Sequence, residues 1–170
     1  MHSRIFHLER TQKDIEDWEL TESDFGYDCS CEWFMHEVAD YIDVDTDRLK
    51  DIHWLLSTLE PYKDHIDLVI EEDKIVGLTF KSTFKESYFE ERLDTLKKQV
   101  NELTIEKFSH DGKENNYGLD LYNIKQTIEK KFGFYIYVNE YNIITFDSFV
   151  RQISMLDTTW YFGNTIDYHF

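Results

Sequence analysis

Between Asp14 and Asp51 the chain carries fourteen acidic residues against two basic ones, Arg48 and Lys50. Those 38 or so positions therefore hold about −12 of a formal net charge of −17. Apart from Glu16-Asp17 the acids are spaced singly, and they are interleaved with Trp18, Phe25, Tyr27, Trp33, Phe34 and Tyr41. An acidic disordered tail lacks such aromatics. The pattern predicts a folded segment with aromatic anchors and an anionic outer face.

A charge of this size works against compactness and against some partners. Binding DNA or RNA requires Lys and Arg to displace condensed counterions, so direct nucleic-acid binding is disfavoured. Anionic membranes are disfavoured on the same ground. The partner that fits is a basic protein surface. At 170 residues the chain is long enough for one domain, 1–170, with a substantial core. It has no run of about 18 apolar residues to span a bilayer. Its first ten residues lack the apolar core of a secretory signal. Cys29 and Cys31 stand one residue apart, a poor disulfide framework, which points to a reducing cytoplasm.

Along the chain, Ser3 to Leu8 alternates and predicts a strand. Thr11 to Asp28 reads as a polar excursion turning near Gly26. Phe34, Val38, Tyr41 and Ile42 fall on one face of a helix over 31–42. Asp45 or Thr46 is expected to cap a second helix with Leu49, Ile52, Leu55, Leu56 and Leu59 buried and Pro61 as its stop. Ile66–Glu71 and Lys74–Phe80 predict a hairpin turning at Glu72-Asp73. Phe89, Leu93, Leu96, Val100 and Leu103 mark the apolar face of a long helix over 84–103.

A loop is expected over 109–118. A helix over 119–132 follows, with Gly133 in the capping position. Strands are expected at 134–138 and 143–146. Asp147 should cap a helix over 148–155. A last hairpin, 160–162 with 165–168, is expected to turn at Gly163-Asn164. The sum is an α+β fold: one antiparallel or mixed sheet with about five helices on one face. Trp160, Tyr161, Phe162, Tyr168 and Phe170 read as core more than as an exposed patch.

Motifs for chemistry fail in detail. His36-Glu37 begins a zinc-protease pattern, but Asp40 stands where the second histidine belongs. Asp43, Asp45 and Asp47 copy the first ligands of a calcium loop, but Arg48 replaces its glycine and Trp54 its bidentate acid. Cys29 and Cys31 with His36 and His53 lack the spacing of a structural zinc site. No phosphate-cradling glycine loop or Gly-x-Ser-x-Gly elbow occurs. The sequence thus predicts no enzyme, metal or cofactor.

What remains is the surface. Carboxylates fixed on a folded scaffold can imitate the phosphate row of DNA, one charge per about 1.7 Å of axis. In composition the chain resembles small acidic inhibitors that block restriction or CRISPR nucleases. The expected contacts are Asp14, Glu16, Asp17, Glu19, Glu22, Asp24, Glu37, Asp40, Asp43 and Asp47. An immunity protein that covers a basic toxin shares the charge argument. Acidity serving solubility alone is the bland alternative, and an enzyme site assembled from distant residues leaves no local motif.

Overall fold

A computed structural model describes residues 1–109, 117–139 and 142–170. The predicted loop over 109–118 thus falls mostly outside the described residues. The order of elements is β1 (His2–Glu9), α1 (Gln12–Asp17), α2 (Glu32–Glu37), β2 (Tyr41–Asp43), α3 (Arg48–Thr58), β3 (Ile66–Glu71), β4 (Lys74–Phe80), α4 (Ser82–Asn101), α5 (Ile105–Ser109), α6 (Tyr117–Glu129), β5 (Tyr135–Val138), β6 (Asn142–Thr145), α7 (Phe146–Arg151) and β7 (Thr159–His169). Short 3₁₀ turns lie at Glu22–Phe25, Glu60–His65 and Ile153–Met155. The fold is α+β with a mixed sheet of seven strands. Packing divides the chain into two compact units, residues 1–85 with 132–170, and residues 86–131.

The first unit holds the whole sheet, in the order β3-β4-β7-β1-β5-β6, with β2 also paired to β7. Among the described residues only β1 and β5 run parallel, with Ile5 beside Tyr135 and His7 beside Tyr137. Both faces of the sheet are buried, which corrects the expectation of helices on one face. Strand alternation explains it. Ile5, Tyr135, Tyr137, Ile143, Ile166 and Tyr168 point one way into a core closed by Leu20, Phe25, Cys31 and Phe34. Phe6, pointing the other way, stacks on Trp54 of α3 and meets Phe134 edge-on. On that second face Phe149 packs against Phe80 and Trp160.

The expected terminal hairpin is instead one continuous strand. β7 lies inside the sheet, with β1 along one side and β4 and β2 along the other. Gly163 serves close approach rather than a turn: a Cβ there would lie 2.3 Å from His7 Nδ1. The ladder between β1 and β7 shifts register at this point, between Phe6 and Leu8. Trp160, Phe162 and Tyr168 are fully buried, as the core reading of the tail expected.

The helix expected over 31–42 ends at Glu37. The N–H groups of Val38 and Ala39 both bond Phe34 O, at 2.9 Å, and close the last turn. The chain then leaves as β2, where Ile42 sits opposite Tyr168. Val38 and Ile42 reach the same core from a helix end and a strand, and so imitate helical spacing.

Asp47, not Asp45 or Thr46, caps α3: its side chain accepts from Lys50 N–H. Ile52, Leu55 and Leu59 are buried as predicted, while Leu49 is exposed. Pro61 stands in the first turn of the following 3₁₀ segment, beyond Leu59, which has already ended α3, rather than stopping α3 directly. Thr145, not Asp147, caps α7, its hydroxyl accepting from Ser148 N–H at 3.1 Å. The β3–β4 hairpin has the predicted bounds.

The second unit is helical. Within it Arg92 lies over the rings of Tyr88 and Phe89, and Lys107 pairs with Asp120 at 3.1 Å. The predicted apolar face of α4 is only partly covered, since Leu93 and Val100 are exposed. α6 ends at Glu129, and Lys130, with φ 50°, occupies the left-handed position expected of Gly133.

Candidate functional site

Residues 12–39 form a layer over the sheet face that Ile5, Tyr137 and Tyr168 share. Phe34 meets Tyr135 and Tyr168 edge-on, at 4.9 and 5.0 Å between ring centroids. Trp18 lies against His7 and Tyr137. Between them the backbone of Leu20 is tied to the sheet: its N–H donates to Asn164 Oδ1 at 3.1 Å, and its carbonyl accepts from Asn164 Nδ2 at 2.7 Å. These contacts fix a segment that is too polar to pack by itself.

The local turns of this layer use some of its own acids. Asp24 Oδ2 accepts from Thr21 N–H at 2.7 Å and from the Thr21 hydroxyl at 2.9 Å. Thr11 caps α1 and donates its hydroxyl to Asp14 at 2.6 Å. Glu32 accepts from Asp28 N–H and lies 3.2 Å from His36 Nε2. By contrast Glu16, Asp17, Glu19, Glu22 and Glu37 are exposed, and their carboxylates have no hydrogen bond or ion pair to another described residue.

Seven of the ten expected contact residues thus share one layer: Asp14, Glu16, Asp17, Glu19, Glu22, Asp24 and Glu37. The other three lie elsewhere. Asp40 and Asp43 accompany β2 along the end of β7. Asp40 accepts from His169 Nδ1 at 2.7 Å, and that hydrogen bond holds its carboxyl below the usual carboxylate range. Asp43 accepts from Asp45 N–H at 2.9 Å. Asp47 heads α3, which packs on the opposite face of the sheet.

Sequence reasoning did not separate Asp51 from the surface acids. It is 4% exposed and joins a buried network. Arg4 Nε donates to it at 2.7 Å, and the Thr165 hydroxyl does so at 2.7 Å. Arg4 also pairs with Asp167. The one sequence signal is that Asp51 precedes Ile52 on the buried side of α3. The aromatics divide as well. Phe25 and Phe34 are anchors, but Tyr27, Trp33 and Tyr41 are exposed. Tyr and Trp are enriched at protein interfaces.

The motif fragments find ordinary uses. Asp43 and Asp47 close turns and caps, as just described. Cys29 Sγ donates to Ser23 O at 3.0 Å, and burial raises the pKa of the Cys31 thiol. Both cysteines are free. Among the described residues no three His, Cys, Asp or Glu side chains form a group that could hold a metal ion. No helix among them is long and apolar enough to cross a membrane.

No family model and no solved structure matches the chain. Over 120 residues, 69% of its length, it is 32% identical to the DNA mismatch repair protein MutS of Caldicellulosiruptor bescii. The chain spans only 13% of the length of that relative.

Proposed function

We propose that this chain is an acidic, cytoplasmic protein-binding inhibitor that presents an anionic surface to a basic partner such as a restriction or CRISPR nuclease. The observation that carries the reading is the set Glu16, Asp17, Glu19, Glu22 and Glu37. These carboxylates are exposed and unpaired, yet the layer that bears them is pinned to the sheet at Trp18, Leu20 and Phe34. Charges held this way repel one another in the free protein and gain most from a cationic partner. The contact set narrows to the layer 14–37; Asp40, Asp43 and Asp47 stand apart from it. The likeness to a mismatch repair protein does not favour DNA contact by this chain, since a charge of −17 opposes phosphate.

The test is binding to a panel of basic nucleases at two salt concentrations. The affinity for a bound nuclease should fall at least tenfold between about 50 and 200 mM salt, as it does when phosphate contacts are lost. Changing Glu16, Asp17, Glu19 and Glu22 together to Lys should abolish binding while the melting transition is kept. Binding that ignores salt, or survives the fourfold change, would refute the proposal. A single toxin bound far more tightly than any nuclease would move the reading to an immunity protein on the same surface.

A further inference from the structure

Among the described residues β3 is an edge strand, paired only with β4. The bond from Lys81 N–H to His65 O makes that pair a hydrogen-bonded one. Alternation along an antiparallel ladder then assigns Asp67 and Val69 to bonding with β4. The N–H and C=O groups of Ile66, Leu68 and Ile70 therefore point away from the sheet.

The side chains of these three residues also share a face. Leu68 stands opposite Leu78, and Ile66 opposite Phe80, both fully buried on the second core face. That apolar layer runs past the sheet edge, where Leu68 is 42% and Ile70 59% exposed. The usual defences of an edge are weak here. The bulge of this hairpin lies in β4, at Val76, and leaves β3 regular. No proline interrupts it, and its one mid-strand charge, Asp67, points to the opposite face and pairs with Lys81.

We propose that β3 is a homotypic docking edge: two copies of this chain pair β3 with β3 in antiparallel fashion, centred on Leu68. The register follows from the strand itself. With Leu68 opposite Leu68, Ile66 meets Ile70 and Ile70 meets Ile66. All three pairs are then hydrogen-bonding pairs, each exchanging two backbone bonds. Their side chains form one apolar ladder continuous with Leu78 and Phe80 of both copies. On the opposite face Asp67 meets Val69, and Glu71 comes beside His65.

A shift of two residues spoils this. One direction sets Asp67 against Asp67 of the second copy, and the other sets it against Glu71. Like charges directly opposed destabilise a ladder, so one register is selected. The occupant that matches the edge in backbone, apolar pattern and charge is thus the same strand. Strand pairing alone makes a small interface, which implies weak association. The overall charge of −17 on each copy opposes it further, so salt should strengthen the dimer. That sign is opposite to the one expected for inhibitor binding, and the two proposals can fail separately.

The experiment is sedimentation of the full chain from about 1 μM to 1 mM, the range that covers weak association, with amide exchange at both ends. The expected result is a mass that rises toward the dimer with concentration and with salt. In parallel the amides of Ile66, Leu68 and Ile70 should exchange fast when dilute and at least tenfold slower when concentrated. Leu68→Lys, at an exposed position, should keep the native melting transition and abolish both effects. Asp67→Asn, which leaves the ladder intact, should not weaken the dimer. A monomer throughout the range overturns the proposal. So does a dimer that Leu68→Lys leaves unchanged, or protection of these amides only when a basic nuclease is added, which would make β3 a strand-addition site for that partner.

Discussion

The imidazole of His7 occupies the space above Gly163 that a side chain would need: a Cβ at Gly163 would lie 2.3 Å from Nδ1 and 2.7 Å from Cγ of that ring. His7 cannot move aside freely. It is 1% exposed, its Nε2 lies 3.2 Å from Glu9 Oε1, and Trp18 and Tyr137 flank its ring. Gly163→Ala should therefore cost at least about 2 kcal/mol, the usual scale for forcing an extra methyl into a packed core. Urea unfolding of Gly163→Ala, His7→Ala and the double variant checks the cause. The double variant should be more stable than the sum of the two losses predicts, because the clash needs both groups. Strict additivity would place the strain elsewhere.

Burial governs the alkaline limit. Tyr135 is 2% exposed, and burial, helped by the charge of Glu37, pushes its phenol up to about 12. Burial raises the phenols of Tyr137 and Tyr168 as well. An unfolded tyrosine loses its proton near pH 10. Above that pH the unfolded chain binds fewer protons than the native one, so stability falls as pH rises. It is fully present below about pH 10 and declines through the interval up to about 12. Denaturation midpoints across that range should drop steeply, and Tyr135→Phe should flatten the slope. An unchanged slope in Tyr135→Phe would show that this phenol ionises alike in both states.

Two acids from one stretch should behave in opposite ways. Asp51 is buried and anchors Arg4 and Thr165. Asp51→Ala takes a buried acceptor from Arg4 and Thr165 while Arg4 keeps Asp167, and losing hydrogen bonds to a buried charged group costs about 1.5–3 kcal/mol. Asp17→Ala, at an exposed and unpaired position, should stay within about 0.5 kcal/mol and can even stabilise by easing repulsion. In binding the order reverses: Asp51→Ala acts only through folding, while Asp17→Ala weakens a basic partner by a few-fold. Thermal melts beside titrations at fixed salt separate the two effects.

That contrast marks what the sequence makes legible. β1, the β3–β4 hairpin and α4 follow from period and turn residues, because local backbone preference suffices to form them even where, as at Leu68 and Leu93, the apolar face stays partly exposed. β7 does not. Its Gly163-Asn164 pair looks like a turn, but the approach of His7 and the bonds from Asn164 to Leu20, 144 residues away along the chain, hold it as an irregularity within one continuous strand. The end of α2 is hidden for a related reason, since Val38 and Ile42 serve the same core from two kinds of backbone. Composition located the anionic layer but not its limits. Nothing local distinguishes Asp47, on the far side of the sheet, from Glu37, or a buried Asp51 from an exposed Asp17. These differences are set by pairing between distant strands.

The turn of the β3–β4 hairpin gives a prediction in the stabilising direction. Glu72 and Asp73 both have positive φ, 47° and 62°. Two central residues of this kind define the turn that suits a hairpin twist, and Asn-Gly is its preferred sequence. Glutamate is a poor occupant, because its Cβ crowds the backbone in the left-handed region. Replacing Glu72→Asn and Asp73→Gly together relieves that crowding and also removes two acids from a crowded anionic chain. The expected gain is about 1 kcal/mol, offset slightly by the added freedom of glycine when unfolded. It should appear as a higher urea midpoint with an unchanged slope. The edge of β3 is untouched by the change, so its concentration-dependent pairing should persist. A double variant no more stable than the parent would mean that contacts of Glu72 or Asp73 already compensate the strained angles.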